Sequence, residues 1–331
     1  MNRITRRQAL ALGAALPFAA SQPLRALADA ATPIRMTSVK FGSVSWLIET
    51  IRAEGLDKKH GLNLQIVEVA NNPAAPVALL SGEADVIISD WTWALRQRAK
   101  GGDLKFAPYS AALGSLMVPK DSPVKSLADL EGKKIGVAGT GIDKSWILLR
   151  AYSRKVLGRD IATIAEPAFG AAPLITEEFR SGRLDAVLNF WTYAARLAGG
   201  GARQILSMAE VIKAMDISPT PALVGFIWSE KVAADKGLPI ETLLKVVREA
   251  NAVLASSDGA WERLRPLVKP ASDDEMAAIK AYYRSGITQS WGAPETASAE
   301  KLTNLLIELG DKELVGDGTR FDPKLFHHTA G

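Results

Sequence analysis

The sequence predicts an α/β protein of two lobes, each a mainly parallel sheet flanked by helices. Three observations carry that expectation. First, the chain repeats itself at an offset of one hundred residues: Ser81-Gly82-x-x-Asp85 running on to Trp91-Thr92-x-Ala94-x-Arg96 returns as Ser181-Gly182-x-x-Asp185 running on to Trp191-Thr192-x-Ala194-x-Arg196, and Ser45-Trp46 returns as Ser145-Trp146. Seven identities in sixteen positions, with a second pair in step, mark two lobes of related build. Second, short β-branched runs alternate with helical periods, the pattern of parallel strands covered by crossover helices. Third, 331 residues with 47% apolar content suffice for two cores.

Taken in order, Ile34–Val39 reads as a strand, Trp46–Ala53 as a helix, Leu62–Val69 as a strand and Pro76–Leu80 as a short helix. Ala84–Ser89 is the next strand, followed by helix over Thr92–Ala99. Ser81-Gly82 and Ser181-Gly182 read as helix stops, with glycine in the left-handed position. The second lobe is expected from Val118. It opens with a turn at Asp121-Ser122-Pro123, a short helix over Ser126–Leu130, a strand over Lys134–Ala138 and a helix over Trp146–Val156, and Ala186–Phe190 matches Val86–Asp90. Lobe 1 is thus assigned to residues 31–117, lobe 2 to 118–212, and a return to lobe 1 to 213–331. In the last segment, helical periods near 241–256, 273–285 and 297–309 lack strand partners and are expected mostly on lobe 1.

In a parallel sheet the ligand sits outside the carboxyl ends of the strands, so the loops there are the candidate site. Trp46, Trp91, Trp146 and Trp191 each follow a predicted strand. Rings at otherwise exposed tips meet a ligand or pack at a hinge or core, and their faces suit a flat, apolar or cationic group. Gly139-Thr140-Gly141, running on to Asp143 and Ser145, is the most glycine-rich of these loops: Gly141 allows close backbone approach, and Thr140 and Ser145 offer hydroxyls near a helix start. A simple turn with a capping serine explains it equally. Neither the phosphate-binding nor the dinucleotide glycine order is present. Asp90 breaks the repeat, its counterpart being Phe190; it can face a ligand N–H or cap the following helix. Asn189 is the neutral amide candidate, with local backbone capping as the other reading.

The first 30 residues hold Arg6-Arg7, an apolar run from Ala9 to Ala20 and a small-residue end at Ala28-Asp29-Ala30. These are the parts of an export signal, with the paired arginines pointing to the twin-arginine route and a periplasmic destination. The segment carries four arginines and one aspartate of a chain whose net charge is +4, leaving 36 basic and 35 acidic side chains beyond it. A near-neutral remainder gives no footprint for nucleic acid. The absence of cysteine excludes disulfides and thiol catalysis. Of three histidines, His327 and His328 lie in the tail and His60 in a polar turn, so no catalytic relay, metal or cofactor site is expected.

With these features in place, the chain resembles periplasmic substrate-binding proteins of the nitrate/sulfonate/taurine transporter type, a family that also includes thiamine-precursor binders. The carrying residues are Ser81-Gly82-Glu83-Ala84-Asp85-Val86, Ser122-Pro123-Val124-Lys125-Ser126-Leu127-Ala128-Asp129-Leu130-Glu131-Gly132-Lys133-Lys134-Ile135-Gly136-Val137, Ser181-Gly182-Arg183-Leu184-Asp185-Ala186 and the turn from Gly55-Leu56 to His60-Gly61-Leu62. The resemblance implies a periplasmic-binding-protein clamshell that closes on a small organic solute and delivers it to an ABC permease in the inner membrane; a monomer is expected. It also implies ligand contacts from Ser43 and Ser45 in one lobe and Thr140 and Ser145 in the other. An acid, Asp143, in the loop where relatives are serine-rich disfavours nitrate or a simple alkanesulfonate. Two alternatives are an exported sensory or partner-docking protein and, further off, a relative that makes a pyrimidine precursor or cleaves a carbon–sulfur bond, chemistries that lean on cysteine or placed histidines.

Overall fold

Burial on both faces along Ile34–Val39 (β1), with Ile34 and Met36 fully enclosed, sets the first strand of lobe 1. The computed structural model describes residues 31–39, 42–288, 290–309, 316 and 318–328. The expected export signal at 1–30 lies outside them. After β1, a turn at Gly42, whose φ of +103° suits glycine, starts α1 (Ser43–Ala53), and α2 (Leu56–Lys59) follows. Then come β2 (Leu64–Val69), α3 (Ala74–Leu80), β3 (Ile87–Asp90), α4 (Trp91–Ala99) and β4 (Leu104–Ser110). Strand β1 pairs parallel with β2, and the parallel bridge Met36–Val86 joins that pair to the β3 side.

The chain crosses at Ala111–Gly114 rather than at Val118, because Ser115–Val118 (β5) is already a strand of the second sheet. Lobe 2 continues with β6 (Lys134–Ala138), α5 (Lys144–Leu157), α6 (Ile161–Ile164), β7 (Glu166–Gly170), α7 (Ala172–Arg180), β8 (Ala186–Asn189), α8 (Trp191–Gly199), β9 (Arg203–Ser207) and α9 (Met208–Ala214). The return strand β10 (Val224–Ser229) lies antiparallel between β3 and β4, so lobe 1 reads β2-β1-β3-β10-β4. Lobe 2 reads β7-β6-β8-β5-β9, with β5 antiparallel between β8 and β9. The two orders superimpose element for element, and each lobe receives its one antiparallel strand just after the chain crosses over.

The repeated motif has a mechanical meaning in this frame. Asp85 accepts the Arg35 N–H at 3.0 Å and Asp185 accepts the Lys134 N–H at 2.9 Å, so each aspartate secures the start of its lobe's first parallel strand. Gly82 and Gly182 turn at φ of +76° and +75°, ending α3 and α7 as expected of the Ser-Gly pairs.

After β10 come α10 (Glu230–Lys236), α11 (Ile240–Ser256), α12 (Asp258–Val268), α13 (Asp273–Ser285) and α14 (Ala293–Leu309). Helices α11 and α12 pack on α1 of lobe 1, but α13 lies on α8 and α14 reaches α5, both in lobe 2. This corrects the expectation that the terminal helices sit mostly on lobe 1. Their apolar faces are shared: one buried cluster runs from Trp91 and Phe106 through Trp291, Leu302 and Leu306 to Leu148 of α5. At the crossover, Ser110 pairs with Ile287 and the Ala111 N–H donates to Gly286 O at 2.8 Å, tying the linker to the end of α13. Among the described residues no helix is long and apolar enough to cross a membrane.

Candidate functional site

The C-terminal ends of β3, β6, β7 and β8 carry the loops singled out from the sequence, and two contacts join them or their helices across the lobes. Asp90, at the end of β3, caps α4 by accepting the Trp93 N–H at 3.0 Å and the Thr92 hydroxyl. Its other oxygen lies 3.4 Å from Nζ of Lys144, at the start of α5 in lobe 2. Burial alone would raise the Asp90 carboxyl, but Lys144, the Thr92 hydroxyl, the Trp93 N–H and Arg96 together hold it below the usual carboxylate range. The second contact is aromatic: Trp46 on α1 meets Trp191 on α8 edge-on, with ring centroids 6.0 Å apart. Trp261 and Tyr283 close the cluster, 5.9 and 6.3 Å from Trp46.

The remaining candidates divide by burial. Ser43 and Ser45 are half-buried in the first turn of α1, where the Ser45 hydroxyl donates to Gly42 O at 2.7 Å. Thr140 and Gly141 are exposed on the β6–α5 turn, with Gly141 beside the Phe169 ring. Asp143 caps α5 by accepting the Ser145 N–H at 2.8 Å, and burial lifts its carboxyl above the ordinary value. Ser145 is half-buried one residue further on.

Three of the candidates are enclosed by the protein itself. Trp91 is fully buried, its indole N–H donating to Ala222 O at 2.9 Å and its face against Phe326. Trp146 is 2% exposed and packs on Phe169 within lobe 2. A helix that starts at a strand end turns its first large apolar residue inward when the sheet leaves room below, so these two rings are core. Asn189 is also buried: its amide donates to the Thr176 hydroxyl at 2.8 Å and to Ala172 O, while its carbonyl accepts the Phe190 N–H at 2.9 Å. Its hydrogen-bonding capacity is spent on α7 and its own turn.

Several site residues escaped sequence reasoning. Lys144 sits between two residues that were named, and its charge beside Asp143 was the available signal. Tyr109, Trp261 and Tyr283 lie outside the repeat, so nothing in the primary pattern marked them. The walls also differ in character. In lobe 2 the strand ends carry exposed Ile142, Phe169 and Phe190, at 37, 44 and 43%. The matching ends in lobe 1 carry Asn71, Asn72 and Asp90.

Among the described residues no group of histidine, aspartate and glutamate is placed to hold a metal. His60 pairs with Glu249 at 2.8 Å and His327 with Glu241 at 3.0 Å, both away from the strand ends of the site. A larger pocket, about 380 Å³, opens at the opposite end of lobe 1 between Leu79, Lys100, Asp103 and Lys236. Its acids are already engaged: Asp85 with Arg35 and Lys236, and Asp103 with the Ser229 hydroxyl and the Lys231 N–H.

Comparison with known proteins places this geometry. The architecture matches the alkanesulfonate-binding protein SsuA from Xanthomonas axonopodis pv. citri bound to MOPS, with a TM-score of 0.67 and 18% identity over 90% of this chain and 99% of that one. It also matches the periplasmic aliphatic sulphonate binding protein SsuA from Escherichia coli, with a TM-score of 0.70 and 20% identity over 90% and 93% of the two chains. The desulfurization enzyme DSZB shares the fold with a TM-score of 0.58 and 13% identity over 88% and 97%. At such identities the likeness is one of fold: a two-lobed α/β clamshell. In sequence, a Haemophilus influenzae protein named for thiamine biosynthesis is 30% identical over 138 residues, 41% of this chain and 42% of that protein's length. Residues 52–218 match the family described as NMT1/THI5 like, and the chain belongs to that family.

Proposed function

We propose that this chain is the extracytoplasmic solute-binding component of an ABC importer, exported by the twin-arginine route and passing a small organic solute to a membrane permease. The observation that supports it best is that loops and helix starts from both sheets meet through Asp90–Lys144 and Trp46–Trp191, the arrangement a clamshell needs to sense what lies between its lobes. Family membership and the fold shared with two sulphonate-binding proteins support the same reading.

The solute is organic with a flat, apolar or cationic part, not nitrate or a simple alkanesulfonate. Aromatic rings bound the junction, lobe 2 offers an apolar wall, and the Lys144 charge is already matched by Asp90. The name of the Haemophilus relative suits such a solute better than the sulphonate names do. Thr140, Gly141, Ser43 and Ser45 supply polar contacts at the rim.

Mass spectrometry of small molecules retained on the purified protein, followed by a thermal-shift panel, tests the reading, since a ligand held by the native state raises the melting temperature. A retained organic solute that stabilises the protein and is returned unchanged is the expected result. Conversion to product would make it an enzyme instead. Tight calorimetric binding of nitrate or taurine, with indifference to amines, would overturn the solute class.

A further inference from the structure

Buried donors are normally spoken for, and most here are. Trp91 donates to Ala222 O, Trp261 to Leu254 O at 2.8 Å and Trp291 to the Thr296 hydroxyl at 3.0 Å. The Tyr283 hydroxyl donates to the Asn251 side-chain carbonyl at 2.8 Å. Against that background the indole N–H of Trp46, the phenol of Tyr109 and the hydroxyl of Thr288 are buried without a hydrogen-bond partner. Trp46 is 3% exposed and Tyr109 5%. A donor removed from water with nothing in exchange costs its full desolvation, so such groups need a reason.

Tyr283 and the end of its helix link the three residues. Tyr109, Ser110, Asn251, Tyr283, Gly286 and Ile287 line a pocket of about 10 Å³, and Thr288 is the next residue in the chain. Tyr283 forms a wall of that pocket and also touches the rings of Trp46 and Trp191. The Ser43 and Tyr283 hydroxyls lie beside the Tyr109 phenol, and burial pushes that phenol above its ordinary value, which keeps it a donor. The pocket has room for about one water-sized group.

We propose that the Trp46 indole N–H and the Tyr109 hydroxyl are the specificity-determining donors of the solute site, and that they recognise a neutral acceptor on the solute, a carbonyl oxygen or ring nitrogen. The inference rests on the solute-binding reading above and deepens it. No residue lining this pocket carries a formal charge. Two or three donors satisfy one acceptor atom, whereas a desolvated sulfonate or carboxylate needs a fuller shell of donors or a cation. The ring that bears the acceptor lies against the Trp46–Trp191 pair, so the same solute touches both lobes. The pocket also adjoins Ser110 and Gly286, the paired segments at the crossover, which places recognition next to the hinge.

Tyr109→Phe deletes one donor and keeps the ring, whereas Trp46→Phe deletes a donor together with part of a buried ring. In solute-free protein Tyr109→Phe should melt at or above the wild-type temperature; a fall of several degrees would show that the donor serves the fold, and would overturn the proposal. Calorimetry with nicotinamide, 2-pyridone and pyrimidine as neutral probes, and benzenesulfonate as the anionic one, reads recognition directly. At least one neutral probe should bind wild type more tightly than benzenesulfonate does and lose about tenfold in affinity in either variant, as deletion of one ligand hydrogen bond predicts. Probes that bind wild type and both variants equally, or a preference for benzenesulfonate, would overturn the assignment of donors and leave solute binding intact. Silence from every probe on wild-type protein counts against both.

Discussion

Lobes 1 and 2 are built from the same plan, and they part company at the residues they share. Of the repeated tryptophans, Trp91 and Trp146 are core rings, while Trp46 and Trp191 meet at the lobe junction. Of the repeated aspartates, Asp85 is enclosed by a bidentate Arg35 and by Lys236, whereas Asp185 performs the same backbone duty half in solvent, with Lys133 3.9 Å away. A repeat therefore conserves the job of joining strand to helix. What the side chain meets beyond that joint depends on the neighbours each lobe was given, and lobe 1 received α11 and α12 where lobe 2 received α13 and α14.

The sharpest test of that difference is truncation of the paired indoles. Trp91→Ala should cost about 3–5 kcal/mol in urea unfolding, the range for a large ring lost from a packed core. Trp191→Ala, at a half-buried position, should cost roughly half as much or less and should instead alter solute binding. Equal losses would mean that Trp191 is as structural as Trp91.

The aspartates come next. Asp85→Asn should cost about 2–3 kcal/mol, below the full penalty for a broken buried pair because Arg35 and Lys236 keep access to water. Asp185→Asn should cost about 0.5–1 kcal/mol. Burial works against ionisation of Asp85, but the Arg35 and Lys236 bonds outweigh it and bring its carboxyl to about 2, from an ordinary value of 3.8. Folded-state stabilisation from this group is therefore complete above pH 3.8 and drains away as pH falls towards about 2. Acid titration of stability should show that slope in wild type and lose it in the Asn variant.

A glycine gives a third, smaller contrast. Gly199 ends α8 where a Cβ would stand 2.3 Å from Cα of Glu275, so α13 approaches the bare backbone there, and Arg196 binds Glu275 one turn earlier. Its counterpart Ala99 is exposed. Gly199→Ala should destabilise by about 1–3 kcal/mol through overpacking, and Ala99→Gly by about 0.5–1 kcal/mol through helix propensity alone. Thermal melts of the two variants compare them directly. The smallest effect belongs to the inter-lobe ion pair: Lys144→Ala should shift the balance of open and closed lobes by about 0.2–1 kcal/mol. Solution scattering at low and high salt should show wild type opening with salt and the variant indifferent to it.

Much of this was readable beforehand, and the failures have a common cause. Strand β1 and helix α13 fall where the sequence patterns put them, because periodicity reports which face is apolar. Helix α12 passed unread: its apolar positions Ala260, Trp261, Leu264 and Val268 follow α11 with only Ser257 between, so two helices looked like one fading period. Residues 115–117 of β5 fall in the segment expected for lobe 1, because a strand of four residues does not say which sheet buries it.

At the site, capping by Asp90 was one of the two readings its sequence position offers, since capping is a short-range property, but in the Gly139 loop the cap is Asp143 and not the expected serine. The partners that engage the Asn189 amide, Ala172 and Thr176, sit 17 and 13 residues away on a helix whose approach no local pattern reveals.

By itself, then, the sequence determined the two-lobed plan, the order of most elements and the helix-stopping role of the duplicated Ser-Gly positions, since all of these follow from contacts a few residues long or from a pattern present twice. Tertiary structure alone decided which tryptophans face the junction, that Lys144 reaches Asp90, and that Trp46 and Tyr109 bury donors without partners. Those outcomes depend on where α12 and α13 come to rest. Packing between surfaces brought together from distant parts of the chain leaves no periodic trace in the sequence of either one.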